Sequence, residues 1–244
     1  MHSLISKAGG IVLIYVMSDI HGEYRKYIQM LEQIAFTKED TLYVLGDVVD
    51  RGEYGLKILR DMMLRSNVIP ILGNHEFMAA NCLTWLKREI TEENLPTIDH
   101  DRLQGLSEWM DVGGMTTIRE FKTMTKEEQD DVLAYLLEFS LYEEVSVNEK
   151  RYILVHGGLG NFDPSKELSA YTLDEFIWER PDYTKAYFSD LYTYVISGHT
   201  PTLYITGKAT IVHAHQHIVI DCGAHLPTGR LACLCLDTMK EFYV

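Results

Sequence analysis

Apolar residues along the first third of the chain alternate between two spacings. Ile11–Met17 is an almost unbroken apolar run and predicts a strand. Tyr27, Ile28, Leu31 and Ile34 then recur at helical spacing within Tyr24–Ile34. Thr41–Leu45 and Val68–Leu72 predict a second and a third strand, with a helix over Leu56–Leu64 between them. A strand–helix–strand–helix–strand order predicts a parallel sheet covered by helices. Strands this continuously apolar predict burial on both faces.

From about Phe77 to Leu141 the pattern changes to helices that carry most of the charge. Leu83, Leu86 and Ile90 share helical spacing, as do Val132, Tyr135, Leu136 and Phe139. Thr125 with Glu128 before the second group has the form of a capping box. Gly113-Gly114 divides the region. It reads as a helical cap, about 77–141, inserted into a single domain spanning 11–244. The last third returns to strands at Tyr142–Val147, Tyr152–Val155, Tyr194–Ile196, His217–Ile220 and Leu231–Leu236, with a hairpin turn at Asn148-Glu149-Lys150.

Composition narrows the function classes. With 244 residues, 46% of them hydrophobic, the chain can bury a sizeable core. A formal net charge of −14 repels nucleic-acid backbones and anionic membranes, so neither is expected as a partner. Ile11–Met17 is too short to span a membrane and runs into Ser18-Asp19 without a small-residue cleavage site. It reads as a core strand after a poorly ordered leader, Met1–Gly10, in a cytoplasmic protein. Cys82, Cys222, Cys233 and Cys235 form no CxxC pair and read as buried thiols, not as a zinc site.

The chemistry is concentrated where apolar strands stop. The first ends in Ser18-Asp19-Ile20-His21-Gly22, the second in Gly46-Asp47-Val48-Val49-Asp50-Arg51-Gly52, and the third in Gly73-Asn74-His75-Glu76. Later strands end in His156-Gly157-Gly158 and Gly198-His199-Thr200-Pro201. The carboxyl ends of parallel strands lie along one sheet edge, where ligands bind, so these segments should share one crevice. Carboxylates, a carboxamide and imidazoles together suit a pair of borderline divalent ions: manganese foremost, iron or zinc otherwise.

The ordered set DxH, GDxxDRG, GNHE, HGG and GHTP resembles the calcineurin-like metallophosphoesterases, and most closely their short bacterial and phage-type serine/threonine protein phosphatases. The resemblance runs from Asp19 to His199. It implies a four-layer α/β sandwich of two mixed sheets flanked by helices. By motif, Asp19 and His21 would bind one ion, Asp47 would bridge both, and Asn74, His156 and His199 would complete the second site. Two ions about 3.5–4 Å apart share a water and lower its pKa, and the resulting hydroxide would attack phosphorus in line. His75 would protonate the leaving oxygen, with Asp50 holding its other ring nitrogen. Arg51 would grip the phosphate, with Asn74 beside it and Arg180 as a second clamp.

The expected function is hydrolysis of phosphomonoesters, with phosphoserine or phosphothreonine in proteins, or a small phosphorylated molecule, as substrate. Two departures bear on that choice. Leu72 stands where protein phosphatases of this family usually have arginine, and His156-Gly157-Gly158 continues as Leu159-Gly160-Asn161 in place of Leu-Ser-Pro. A symmetrical dinucleoside-polyphosphate hydrolase is the alternative, since that group also tends to carry an aliphatic residue before GNH. Against it, Asp50 is retained, where those enzymes commonly differ. A third reading is a non-catalytic metal-binding scaffold. Glu76 reads as a helix cap and Asp221 as a turn former, with His225 in the same loop. His213, His215 and His217 alternate as if along one strand face and read as ordinary strand histidines.

Overall fold

A computed structural model describes residues 12–88 and 99–244. The expected leader, and Ile90 of the first cap helix, lie outside the described residues. Strands and helices are numbered in chain order. In the first sheet β1 (Ile14–Met17), β2 (Thr41–Val44) and β3 (Val68–Pro70) run parallel. Antiparallel β9 (Ala232–Cys235) flanks β1, and β10 (Glu241–Tyr243) forms the outer edge. The second sheet contains β4 (Tyr142–Val147), β5 (Lys150–Val155), β6 (Thr193–Ser197), β8 (His217–Val219) and β7 (Val212–Ala214), in that spatial order. Its central run β5-β6-β8 is parallel.

Strand periodicity separates the layers. On β1, Val16 packs between the sheets with Leu45, Ile71, Leu154, Ile196 and Leu234. Its neighbours Tyr15 and Met17 face the other way, onto Tyr27 and Met30 of α1 (Tyr24–Gln33) and Leu56 and Leu59 of α2 (Gly55–Met63). On the far sheet Ile153, Val155 and Val195 pack against Phe176 and Ile177 of α7 (Leu173–Ile177). The architecture is therefore the expected sandwich of two mixed sheets flanked by helices. Full burial of each such side chain contributes roughly 1.5–3 kcal/mol.

The helices after β3 are α3 (Asn74–Leu86), α4 (His100–Trp109), α5 (Met115–Lys122) and α6 (Lys126–Leu136). Leu83, Trp109, Phe121 and Val132 join the same core that α1 and α2 cover. The Thr125 hydroxyl accepts from the Glu128 amide at 3.2 Å, and Glu128 accepts from the Thr125 amide at 2.9 Å, which caps α6 as its sequence predicts. Gly113, at φ 114°, makes the kink between α4 and α5. No described helix is long and apolar enough to cross a membrane.

One expectation about β structure fails. His213, His215 and His217 do not lie along one strand: the chain reverses between β7 and β8, with His215 in the turn at φ 54°. His213 pairs with Glu241 at 2.9 Å, and buried His217 bonds the Lys185 carbonyl at 3.1 Å, packed on Tyr187. Three-residue β7 and β10 are too short for alternation to reveal.

Candidate metal and phosphate site

The parallel runs of both sheets end at one edge. Asp19 N–H donates to the Gly46 carbonyl at 3.1 Å, His21 N–H to the Asp47 carbonyl at 2.9 Å, and Gly198 N–H to the His156 carbonyl at 2.8 Å. These bonds lace the strand-end loops together. Turning each side chain into the crevice demands unusual backbone. Asp19, His21, Asp47, Asp50, Arg51 and His199 all have φ between 45° and 69°, half of the twelve positive-φ non-glycine residues described. Such conformations cost roughly 1–3 kcal/mol each and persist where surrounding structure enforces them.

Glu76 supplies part of that enforcement. Its fully buried carboxylate accepts from the amides of Asp47 and Val48 at 2.7 Å each, and of Val49 and Gly73 at 3.2 Å each. It caps α3, as expected, and also clamps the loop that carries Asp47. Gly73 permits the close approach: a Cβ there would stand 2.4 Å from Asp47 Oδ1.

Two groups of ligand atoms share Asp47. His21, Asp47 and His75 form one, and Asp47, His156 and His199 the other, with the ligand atoms of each group within 4.8 Å of one another. Asn74 Oδ1 lies 2.9 Å from His156 Nε2 and 3.0 Å from His199 Nδ1. Asp19 stands at the edge of the first group, 4.0 Å from His21 Nε2. Its other oxygen is held by the Ser18 hydroxyl and, at 3.0 Å, by the His199 amide.

Hydrogen-bond polarity shows that these groups fit cations. His21 Nδ1 donates to the Val49 carbonyl at 3.0 Å, and His156 Nδ1 to the Leu45 carbonyl at 2.6 Å. In a neutral ring that leaves a lone pair on Nε2. The His21 lone pair faces Asp47 Oδ2 at 3.5 Å, and the His156 lone pair faces Asp47 Oδ1 at 3.3 Å. Burial, reinforced by Arg51, holds the His21 pKa well below its usual range, so the 3.5 Å contact is not an ion pair. Burial likewise lowers His199 to about 2 and pushes Asp47 well above the normal carboxylate range. Lone pairs thus converge on a carboxylate whose charge is penalised, and a divalent ion on each side would relieve both.

His75 differs from the other rings. Burial disfavours its charged form, but Asp47 and a 2.6 Å bond from Nδ1 to Asp50 outweigh it, and its pKa is raised. Asp50 also accepts from Trp109 Nε1 at 2.6 Å and Thr117 Oγ1 at 2.5 Å. The helical stretch therefore orients the pair, a contribution that sequence spacing does not reveal.

Arg51 stands as a cation on the ring nitrogens, 2.8 Å from His21 Nε2 and 3.0 Å from His75 Nε2. His225 Nε2 touches the same guanidinium at 3.2 Å. Asp221 bonds the Gly223 amide at 2.8 Å, the expected turn, and thereby shapes the loop that presents His225. Arg180 donates to Thr200 Oγ1 at 3.2 Å. Arg51, Asn74, His75, Arg180 and His199 line one cavity of about 360 Å3. All ten residues singled out in the sequence meet in or beside it. Trp109, Thr117, Trp178, Tyr204 and His225 join them without a motif of their own.

A family model described as calcineurin-like phosphoesterase matches residues 12–219. A symmetrical bis(5'-nucleosyl)-tetraphosphatase of Haemophilus ducreyi is 32% identical over 100 residues, 39% of this chain and 37% of that protein. The matched stretch thus spans about a third of that curated relative. The crystal structure of a candidate diadenosine tetraphosphatase aligns with TM-score 0.64 at 17% identity, covering 97% of this chain and 94% of that one. A protein serine/threonine phosphatase of Saccharomyces cerevisiae aligns with TM-score 0.55 at 14% identity, covering 92% of this chain and 72% of the other.

Proposed function

The chain belongs to the calcineurin-like phosphoesterase family, and on that premise we propose that it cleaves a symmetrical dinucleoside polyphosphate into nucleoside diphosphates. The chemistry rests on one observation, that the two oxygens of Asp47 face separate histidine groups. The substrate rests on the tetraphosphatase relatives above 30% identity. This replaces the phosphoprotein substrate expected from the motifs, because the protein-phosphatase neighbour at 14% identity speaks for the fold alone.

In this reading Asp19, His21 and Asp47 hold one divalent ion, and Asp47, Asn74, His156 and His199 hold the other. When bound, the pair activates water and offsets charge on the phosphoryl oxygens. Arg51 and Arg180 hold the phosphate chain, giving a cationic grip within a chain of net charge −14. His75, protonated with the help of Asp50, delivers its Nε2 proton to the departing phosphate oxygen. Water adds to an inner phosphorus and the central P–O bond breaks, so a tetraphosphate gives two nucleoside diphosphates.

The test compares kcat/KM of manganese-loaded protein on diadenosine tetraphosphate and on a phosphoserine peptide, with products separated by chromatography. ADP as the product, at a higher kcat/KM than the peptide, is expected. Faster release of phosphate from the peptide would restore the phosphoprotein reading.

A further inference from the structure

The cavity over the site has two kinds of wall. Arg51, Asn74, His75 and His199 form a polar, cationic part, and Trp178 and Tyr204 also line it. Those two rings are among the large apolar side chains left in solvent, Trp178 at 40% exposure and Tyr204 at 75%. Neither is on a loose segment. Trp178 caps α7 directly after buried Phe176 and Ile177, and its amide donates to the Asp174 carbonyl at 3.0 Å. Tyr204 lies in α8 (Thr202–Thr206), anchored by buried Thr202, whose amide donates to the Asp221 carbonyl at 2.8 Å.

Each ring is therefore set at a fixed place relative to a phosphate-binding or ligand residue. Trp178 is two residues before Arg180, and Tyr204 five after His199. A ligand that fills this cavity needs an anionic part for the arginines and a flat, weakly polar part for the rings. A nucleotide has both. From this we propose that Trp178 and Tyr204 form a stacking site for one nucleobase of the substrate, an inference that rests on the nucleotide reading above. Stacking uses the π-face that every base possesses, so the site discriminates little between adenine and guanine.

AMP and ribose 5-phosphate carry the same phosphate on the same sugar and differ by the base, so their inhibition constants isolate the stacking. With p-nitrophenyl phosphate as reporter substrate for the manganese-loaded protein, AMP and GMP should each inhibit about 5–150-fold more tightly than ribose 5-phosphate, the factor that stacking of one base supplies. Trp178→Ala and Tyr204→Ala should each shrink that ratio, and Trp178→Phe should largely restore it. Both side chains are exposed, so unchanged circular dichroism is expected as the folding control. A ratio near one in the unaltered protein, or a ratio that survives the double alanine variant, would overturn the site. Failure to cleave diadenosine tetraphosphate with the ratio intact would instead remove the polyphosphate substrate and leave the base site standing.

Discussion

Asp50→Asn isolates charge from shape at His75. The Asp50 carboxylate is wholly buried and accepts from His75 and Trp109 on Oδ2 and from Thr117 on Oδ1. Asparagine can keep its oxygen toward His75 and Trp109 and turn its amide to the Thr117 hydroxyl, so the packing should survive. What disappears is the negative charge. A hydrogen bond to a charged group contributes about 1.5–3 kcal/mol and a neutral one about 0.5–1.5. The difference, roughly 1–1.5 kcal/mol, corresponds to about one pKa unit. The sign follows from His75, whose pKa is raised in part by Asp50. Without that charge the imidazolium loses its proton at lower pH, so the alkaline limb of kcat should move down by about one unit. The assay is a pH profile on an alkyl phosphate beside p-nitrophenyl phosphate, whose leaving group departs without a proton. The alkyl ester should lose up to about tenfold on the alkaline side of that limb, less than complete loss of an acid would cost, and the nitrophenyl ester much less. An unmoved limb with equal losses on both esters would reduce Asp50 to a packing residue and refute His75 as the acid.

Two substitutions test the framework that holds Asp47. Gly73→Ala places a Cβ 2.4 Å from Asp47 Oδ1 and 2.6 Å from Glu76 Oε2, so it should cost about 1–3 kcal/mol and weaken manganese binding; a melting temperature and a manganese-induced rise in it equal to those of the parent protein would contradict this. Glu76→Gln turns an amide toward two of the backbone N–H groups the carboxylate now serves, leaving them unpaired at about 1–3 kcal/mol each. A melting temperature equal to that of the parent protein would show that the clamp is dispensable.

Much of the site was readable because motif and strand end coincide. Apolar runs located β1, β2 and β3, and the residues that follow them carry the ligand types, so parallel pairing alone brings Asp19, Asp47 and Asn74 to one edge. What stayed hidden depends on chain reversal or on distance in sequence. Trp109 and Thr117 reach Asp50 from 59 and 67 residues away, and no local spacing encodes that. His213 and His217 looked like one face because alternation is the same along a strand and across a short hairpin; the left-handed turn at His215 separates them. Trp178 and Tyr204 have no periodic partner, and only their exposure beside the arginines singles them out. Leu72, before Gly73-Asn74-His75, was the one sequence cue toward a dinucleotide substrate, while Asp50 pointed the other way.

In the proposed mechanism Asp47 joins two cation sites. Metal content per chain, measured after stripping and re-equilibration with manganese, tests it most directly when diadenosine tetraphosphate turnover is followed in the same samples. Two ions per chain and metal-dependent formation of ADP are expected, with Asp47→Asn holding fewer ions and losing turnover. Turnover by stripped protein, or an Asp47→Asn variant with two ions and full activity, would contradict it.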